Sequence, residues 1–158
     1  MKIFIQNQQD KVDVAEHISK IIEASVANTI KIFLQEENFE VSVLIVDNNL
    51  IKELNRKYRN INKETDVLSF PIFEFKNGQL QEDIVIVEDE IPLGDIVISI
   101  EKALQQAEEF GHSLEREVAY LTVHSVLHLL GFDHIEEDDR KVMRKYEEQI
   151  LDSMGLTR

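Results

Sequence analysis

Three of the chain's five histidines fall in HSVLHLLGFDH (124–134). His124 and His128 are four residues apart, so on a helix they project from one face, a turn apart. Gly131 follows, and glycine ends a helix in a left-handed conformation without strain. The chain can then turn back and bring His134 toward the other two rings. Three imidazoles with nothing supplied for a fourth position describe a catalytic zinc site, where water or substrate completes the tetrahedron. A structural zinc more often has four ligands with cysteines among them, and the chain has no cysteine. An aspartate could still fill the gap. No charged residue lies between Val118 and Leu130, which predicts buried rings, and buried imidazoles need partners. His17 and His112 lie outside the spacing and read as surface or loop residues.

The spacing H-x3-H-x5-H, with glycine between the last two histidines, is that of the metzincin peptidases. Those enzymes place a glutamate directly after the first histidine to deprotonate the metal water. Here that residue is Ser125, whose hydroxyl is no base near neutral pH. A phosphodiester makes a different demand. Metal-bound water ionises near pH ~7 unaided, and the metal polarises a phosphoryl oxygen. A cation beside the phosphorane stabilises the developing charge, and arginine's planar fork matches two phosphate oxygens.

Cations are concentrated in one place. Residues 52–63 hold Lys52, Arg56, Lys57, Arg59 and Lys63 against Glu53 alone, a net of +4. Removing that block from 17 basic and 31 acidic residues leaves 12 and 30, a net of −18, within an overall charge of −14. A solvated helix face explains the island as well as a phosphate-binding face does. The acidic remainder disfavours membranes and nucleic acid elsewhere on the surface. No apolar run reaches membrane-spanning length, and MKIFIQNQQD turns polar too soon for a signal-peptide core. Without cysteines the chain fits a reducing compartment, and a cytoplasmic protein is expected.

The elements that must position these residues follow from periodicity. KIFIQ (2–6) is a strand. A long helix runs from Asp13 with Val14, Ile18, Ile22, Val26 and Ile30 on one stripe. EVSVLIVD (40–47) is a strand whose Asp47 caps the helix NNLIKELNRKYR. DVLSF (66–70) is a strand that stops at Pro71, at a sheet edge. Residues 72–93, with KNG, form a hairpin or irregular excursion, and GDIVISI (94–100) is another strand. EKALQQAEEF is a helix stopped by Gly111, and Ser113 caps the helix that runs to Leu130. A last helix covers roughly 137–152, with Val142, Tyr146 and Ile150 in register. The expected fold is α+β: one domain, residues 1–158, a small mostly mixed sheet of about four strands with about five helices, and the metal site on a central helix.

HSVLHLLGFDH resembles the H-G-x-L-H-L-x-G-[YF]-D-H signature of the YbeY endoribonucleases, the bacterial ribosomal RNA maturation factors. LNRKYRNINKETDVLSFP (54–71) and LGDIVIS (93–99) agree with two further blocks of that family, in the same order. Ser125 and Asn60 depart from it, each standing where glycine is common. The resemblance implies a zinc-dependent endoribonuclease specific for single strands. It would mature the 3′ end of small-subunit ribosomal RNA and serve ribosome quality control. Its partners would be single-stranded rRNA, the assembling small ribosomal subunit, a ribosomal protein and an assembly GTPase. Carried over by position, His124, His128 and His134 hold one zinc ion per chain, and Arg59 is the functional arginine.

Other residues read less sharply. Asp133 either orients an imidazole as a hydrogen-bond acceptor or caps the next turn. Asp95 either serves the site or ends a strand. Arg56, Lys57 and Lys63 are candidate RNA contacts. Ser69 and Phe70 lie where an edge strand could meet substrate, although a strand phenylalanine is usually core. Thr65 and Asp66 read as turn chemistry, and Met143 as packing. With no aromatic stacking platform visible, sequence preference should be weak. The expected mechanism has the metal water, or a 2′-OH that it activates, attack phosphorus while Arg59 grips the phosphate. Two alternatives stay open: a metzincin-like zinc hydrolase of another substrate, and a non-catalytic subunit-assembly factor with a structural metal.

Overall fold

A computed structural model describes residues 1–35, 38–82 and 90–156. In chain order the elements begin with β1 (Lys2–Asn7), α1 (Glu16–Phe33), β2 (Phe39–Val46), α2 (Asn48–Arg59) and β3 (Val67–Pro71). A short hairpin follows, β4 (Phe75–Lys76) and β5 (Gln79–Leu80). Then come β6 (Ile91–Ser99), α3 (Ile100–Phe110), α4 (Leu114–Leu129) and α5 (Glu137–Ser153).

Strands β1, β2, β6 and β3 form one sheet in that order. The first three are parallel, and β3 runs antiparallel to β6 at the edge, so the sheet is mixed. Edge placement suits Pro71, which has no N–H to give a further strand. β2 and β6 lie at the centre and are apolar along most of their length, as strands covered on both faces must be. Val41, Val43, Ile45, Ile96 and Ile98 join the main core with α1, α4 and α5. Val46, Ile51, Leu68 and Val97 form a smaller core with α2. The architecture is the expected α+β one, a single small domain with five helices among the described residues. Among the described residues, no helix is long and apolar enough to cross a membrane.

Two boundaries, each for a local reason, and one helix register differ from expectation. The Gln9 side chain accepts hydrogen bonds from the N–H groups of Lys11 and Val12, so residues 8–15 form a turn and α1 begins at Glu16 rather than Asp13. β6 begins at Ile91 because a bulge opposite Glu40 and Val41 carries the pairing past Gly94. In α5 the register is shifted: Val142 is 45% exposed, while Met143, Glu147 and Ile150 are buried. Met143 is packing, as expected. The excursion includes a hairpin turning at Asn77 and Gly78, both at positive φ, and its residues 83–89 lie outside the described residues.

α4 is central, packed against α1, α3, α5 and the sheet. Ser113 caps its start by accepting from the Arg116 N–H. Buried residues surround it, which is why its sequence reads as apolar on nearly every side. The sheet and three helices therefore hold its C-terminal turn.

Candidate metal centre

The C-terminal turn of α4 carries His124 and His128 on one face. Their rings meet edge-on with centroids 4.6 Å apart. Gly131 then adopts φ +83°, and a side chain there would strike the Phe75 backbone. Gly78 N–H and Leu130 carbonyl join hairpin and helix end at 2.8 Å. Phe132 plugs into the core against Phe33 and Tyr146. With Phe132 anchored, the next two residues turn back over the helix, and the His134 ring arrives 5.2 Å from His124 and 4.9 Å from His128. One nitrogen from each of the three rings lies within 4.8 Å of the other two.

The protons on two of these rings are fixed by their partners. His128 Nδ1 faces the Phe132 carbonyl at 2.9 Å, an acceptor only, so Nδ1 carries the proton and Nε2 keeps its lone pair. His124 Nδ1 donates to Glu147 Oε2 at 2.9 Å in the same way. The two Nε2 atoms then face each other at 3.1 Å. Two lone pairs at that distance repel unless a cation sits beside both, and the separation is close to the ~3.3 Å of two nitrogens on a tetrahedral zinc. The donor set fits a metal ion. Burial, and next the neighbouring His124, push His128 down to about 4, so it offers a neutral nitrogen at pH 7. Tyr120 lies against His124 with ring centroids 5.8 Å apart. Burial, then the Glu147 charge, push its hydroxyl up to about 12, so it stays neutral.

The histidines line a cavity of about 570 Å³ at the β3 edge of the sheet, and Arg59 lines it too. α2 delivers this arginine from its last helical residue. Asp47 caps the start of α2 by accepting from the Leu50 N–H at 2.9 Å. Asn60 ends the helix in the left-handed conformation, φ 58° and ψ 32°, with its N–H on the Arg56 carbonyl. Asparagine tolerates that conformation better than most residues. The buried Asn55 amide holds the loop by donating to the Lys63 carbonyl at 2.9 Å.

Residues 4–155 match the family model described as Endoribonuclease YbeY. The chain belongs to the YbeY endoribonuclease family. A protein of that name from Caldicellulosiruptor bescii is 87% identical over 158 residues, covering 100% of both chains. One from Caldicellulosiruptor saccharolyticus is 77% identical over the same length and coverage. The solution structure of a Thermotoga maritima protein shares the fold, with a TM-score of 0.59 at 24% identity, covering 96% of this chain and 91% of that one.

The structure brings the YbeY signature's three histidines and the arginine of its second block into one cavity. Asp133 and Ser69 line the same cavity. Asp133 Oδ1 accepts from the N–H groups of His134 and Ile135, at 2.7 and 3.3 Å, which is turn chemistry. Asp66 Oδ1 likewise accepts from the Val67 N–H at 2.8 Å, although it and Thr65 also line the cavity. Asp95 is exposed on β6 and does not line it, nor do Arg56, Lys57 and Lys63. Phe70 faces the α2 side of the sheet, away from Ser69. His17 is on the surface, paired with Glu115 at 2.8 Å, and His112 sits in the loop between α3 and α4, bonded to Glu117 at 2.6 Å. His124 and His128 are half-buried rather than buried, because the cavity opens onto them, and His134 is exposed.

Asn60 adopts a left-handed conformation of the kind glycine takes without strain, and Ser125 is fully buried outside the cavity. One functional residue escaped the sequence reading: Glu147. A carboxylate on the buried stripe of Met143 and Ile150 must have a partner inside, but the mistaken Val142 register placed it off that stripe.

Proposed function

We propose that this chain is a zinc-dependent, single-strand-specific endoribonuclease of the cytoplasm that matures the 3′ end of small-subunit ribosomal RNA and serves ribosome quality control. Its partners would be the assembling small subunit, a ribosomal protein and an assembly GTPase. Family membership supports RNA as substrate. The single observation that carries the chemistry is the convergence of three imidazole nitrogens and Arg59 on one open cavity.

His124, His128 and His134 would hold one zinc ion. When bound, zinc supplies Lewis-acid polarisation of a phosphoryl oxygen and acidifies a water toward neutral pH. Arg59, with no carboxylate partner among the described residues, is free to grip two oxygens of the scissile phosphate and stabilise the charge they gain. Glu147 keeps the Nδ1 proton on His124 and fixes the ring's orientation. Arg56, Lys57 and Lys63 are exposed beside Arg59 in the chain and would track the RNA backbone outside the cavity. Ser125 is buried, and Asp66 and Asp133 are engaged by backbone N–H groups. Among the described residues, that leaves no counterpart to the peptidase glutamate, which favours phosphate over peptide.

The test is cleavage of a labelled RNA with a stem and a single-stranded 3′ tail. The purified protein is run as isolated, chelated and re-supplied with zinc. Cutting in the tail that disappears on chelation and returns with zinc is expected. No cutting by folded, zinc-loaded protein, on this RNA or on immature small subunits, would move the reading to an assembly factor. A cyclic phosphate on the product would identify the neighbouring 2′-OH as nucleophile.

A further inference from the structure

Next to Arg59 stands Tyr58, 59% exposed on the last turn of α2. Its ring meets Phe70 edge-on, with centroids 5.5 Å apart and planes at 67°. Phe70 is itself half-buried in the small core under α2 and belongs to the edge strand whose neighbours Ser69 and Pro71 line the metal cavity. The Lys57 ammonium lies over the Tyr58 ring, 5.2 Å from its centroid, on a flexible exposed side chain that an arriving base can displace toward its phosphate. An exposed aromatic ring thus rests against a half-buried phenylalanine, carries a displaceable cation over it, and stands one residue from the cavity's arginine.

This arrangement has what a base-stacking seat requires. Stacking needs a flat face open to solvent, and bracing lowers the entropy lost when a base lands on it. Adjacent cations hold the phosphates on either side. The surroundings select the occupant: the +4 block at residues 52–63 is the basic island of a chain whose remainder carries −18, so the ligand is polyanionic. A base on Tyr58 must be unpaired, because bases in a duplex already stack on one another.

We infer that Tyr58, backed by Phe70, is a stacking subsite for an unpaired nucleobase of an RNA strand that leaves the metal cavity around the edge strand β3, past Arg59. This rests on the ribonuclease reading and deepens it, since the subsite gives a physical source for single-strand selectivity. Stacking tolerates any base, so sequence preference stays weak even though an aromatic platform exists.

The test is binding of a labelled short oligouridine to the full chain in chelator, so that the strand is held without being cut. An abasic strand of the same backbone is the control. Tyr58→Ala should bind oligouridine about tenfold more weakly than wild type, Tyr58→Phe should bind nearly as well, and all three should bind the abasic strand equally. The chain has no tryptophan, so Tyr58→Trp supplies a sole tryptophan, excited selectively over the remaining tyrosines, which oligouridine should quench and the abasic strand should not. Equal binding of oligouridine by wild type and Tyr58→Ala, equal losses on both strands, or an unquenched Tyr58→Trp that still binds would overturn the subsite alone. Failure of wild type to bind any single-stranded RNA would overturn the ribonuclease reading, and the subsite with it.

Discussion

On one wall of the cavity, His124 and His128 stand on a helix enclosed by the sheet and three helices, with each Nδ1 held by a partner at 2.9 Å. On the other, Arg59 is exposed at the end of a helix that buries only Ile51 and Asn55, and no carboxylate holds it among the described residues. Metal ligands must be placed before the ion arrives, since reorganising them would subtract from affinity. A phosphate-gripping arginine must instead admit a strand, close on it and release it. The fixed wall suits coordination, and the exposed one suits traffic.

That division makes predictions, the largest on the fixed wall. His128→Ala should abolish zinc binding and cleavage yet fold, because the residue is half-buried and the core around α4 does not depend on it. Metal analysis and circular dichroism check this, and an unfolded variant would assign the metal a structural role. Arg59→Ala should slow cleavage by about 10²–10³-fold with an unchanged melting temperature. Glu147→Ala should weaken zinc affinity about 10–100-fold, read by competition with a chromophoric chelator, and Glu147→Gln should lose less because its amide oxygen still accepts from Nδ1.

The pH dependence of metal-free protein also tests the fixed wall. His128 is held near 4 against an ordinary 6.5, so as pH falls the unfolded chain takes up this proton first. The neutral ring's contribution to stability is therefore full above about 6.5 and is lost as pH falls through 4. Melting curves of chelated wild type and His128→Ala should converge over that window, whereas a constant gap would contradict the assignment. The smallest effect belongs to the exposed wall's periphery. Lys63→Ala should weaken RNA binding a few-fold and reduce the salt slope by about 1, as titrations at several ionic strengths would show.

The two walls were unequally legible in the sequence. Ligand spacing along one helix and one turn is local, so HSVLHLLGFDH displayed the histidines and the glycine reversal directly. The edge position of β3 followed from Pro71, whereas the order β1-β2-β6-β3 depends on pairings between distant segments that no local pattern displays. Glu147 was hidden because its partner is 23 residues away on another helix and its stripe was read from Val142. The Tyr58–Phe70 pair joins a helix end to a strand, and no periodicity within either element announces it. Arg59 could be singled out by charge and family resemblance, but only the fold shows that it shares a cavity with the histidines.

The central claim is that the two walls act on one phosphate while only one holds the metal. The most direct measurement is zinc content beside single-turnover cleavage, on one preparation of Arg59→Ala. The account predicts one zinc per chain with cleavage lost. Wild-type cleavage by that protein, or loss of its zinc, would contradict it.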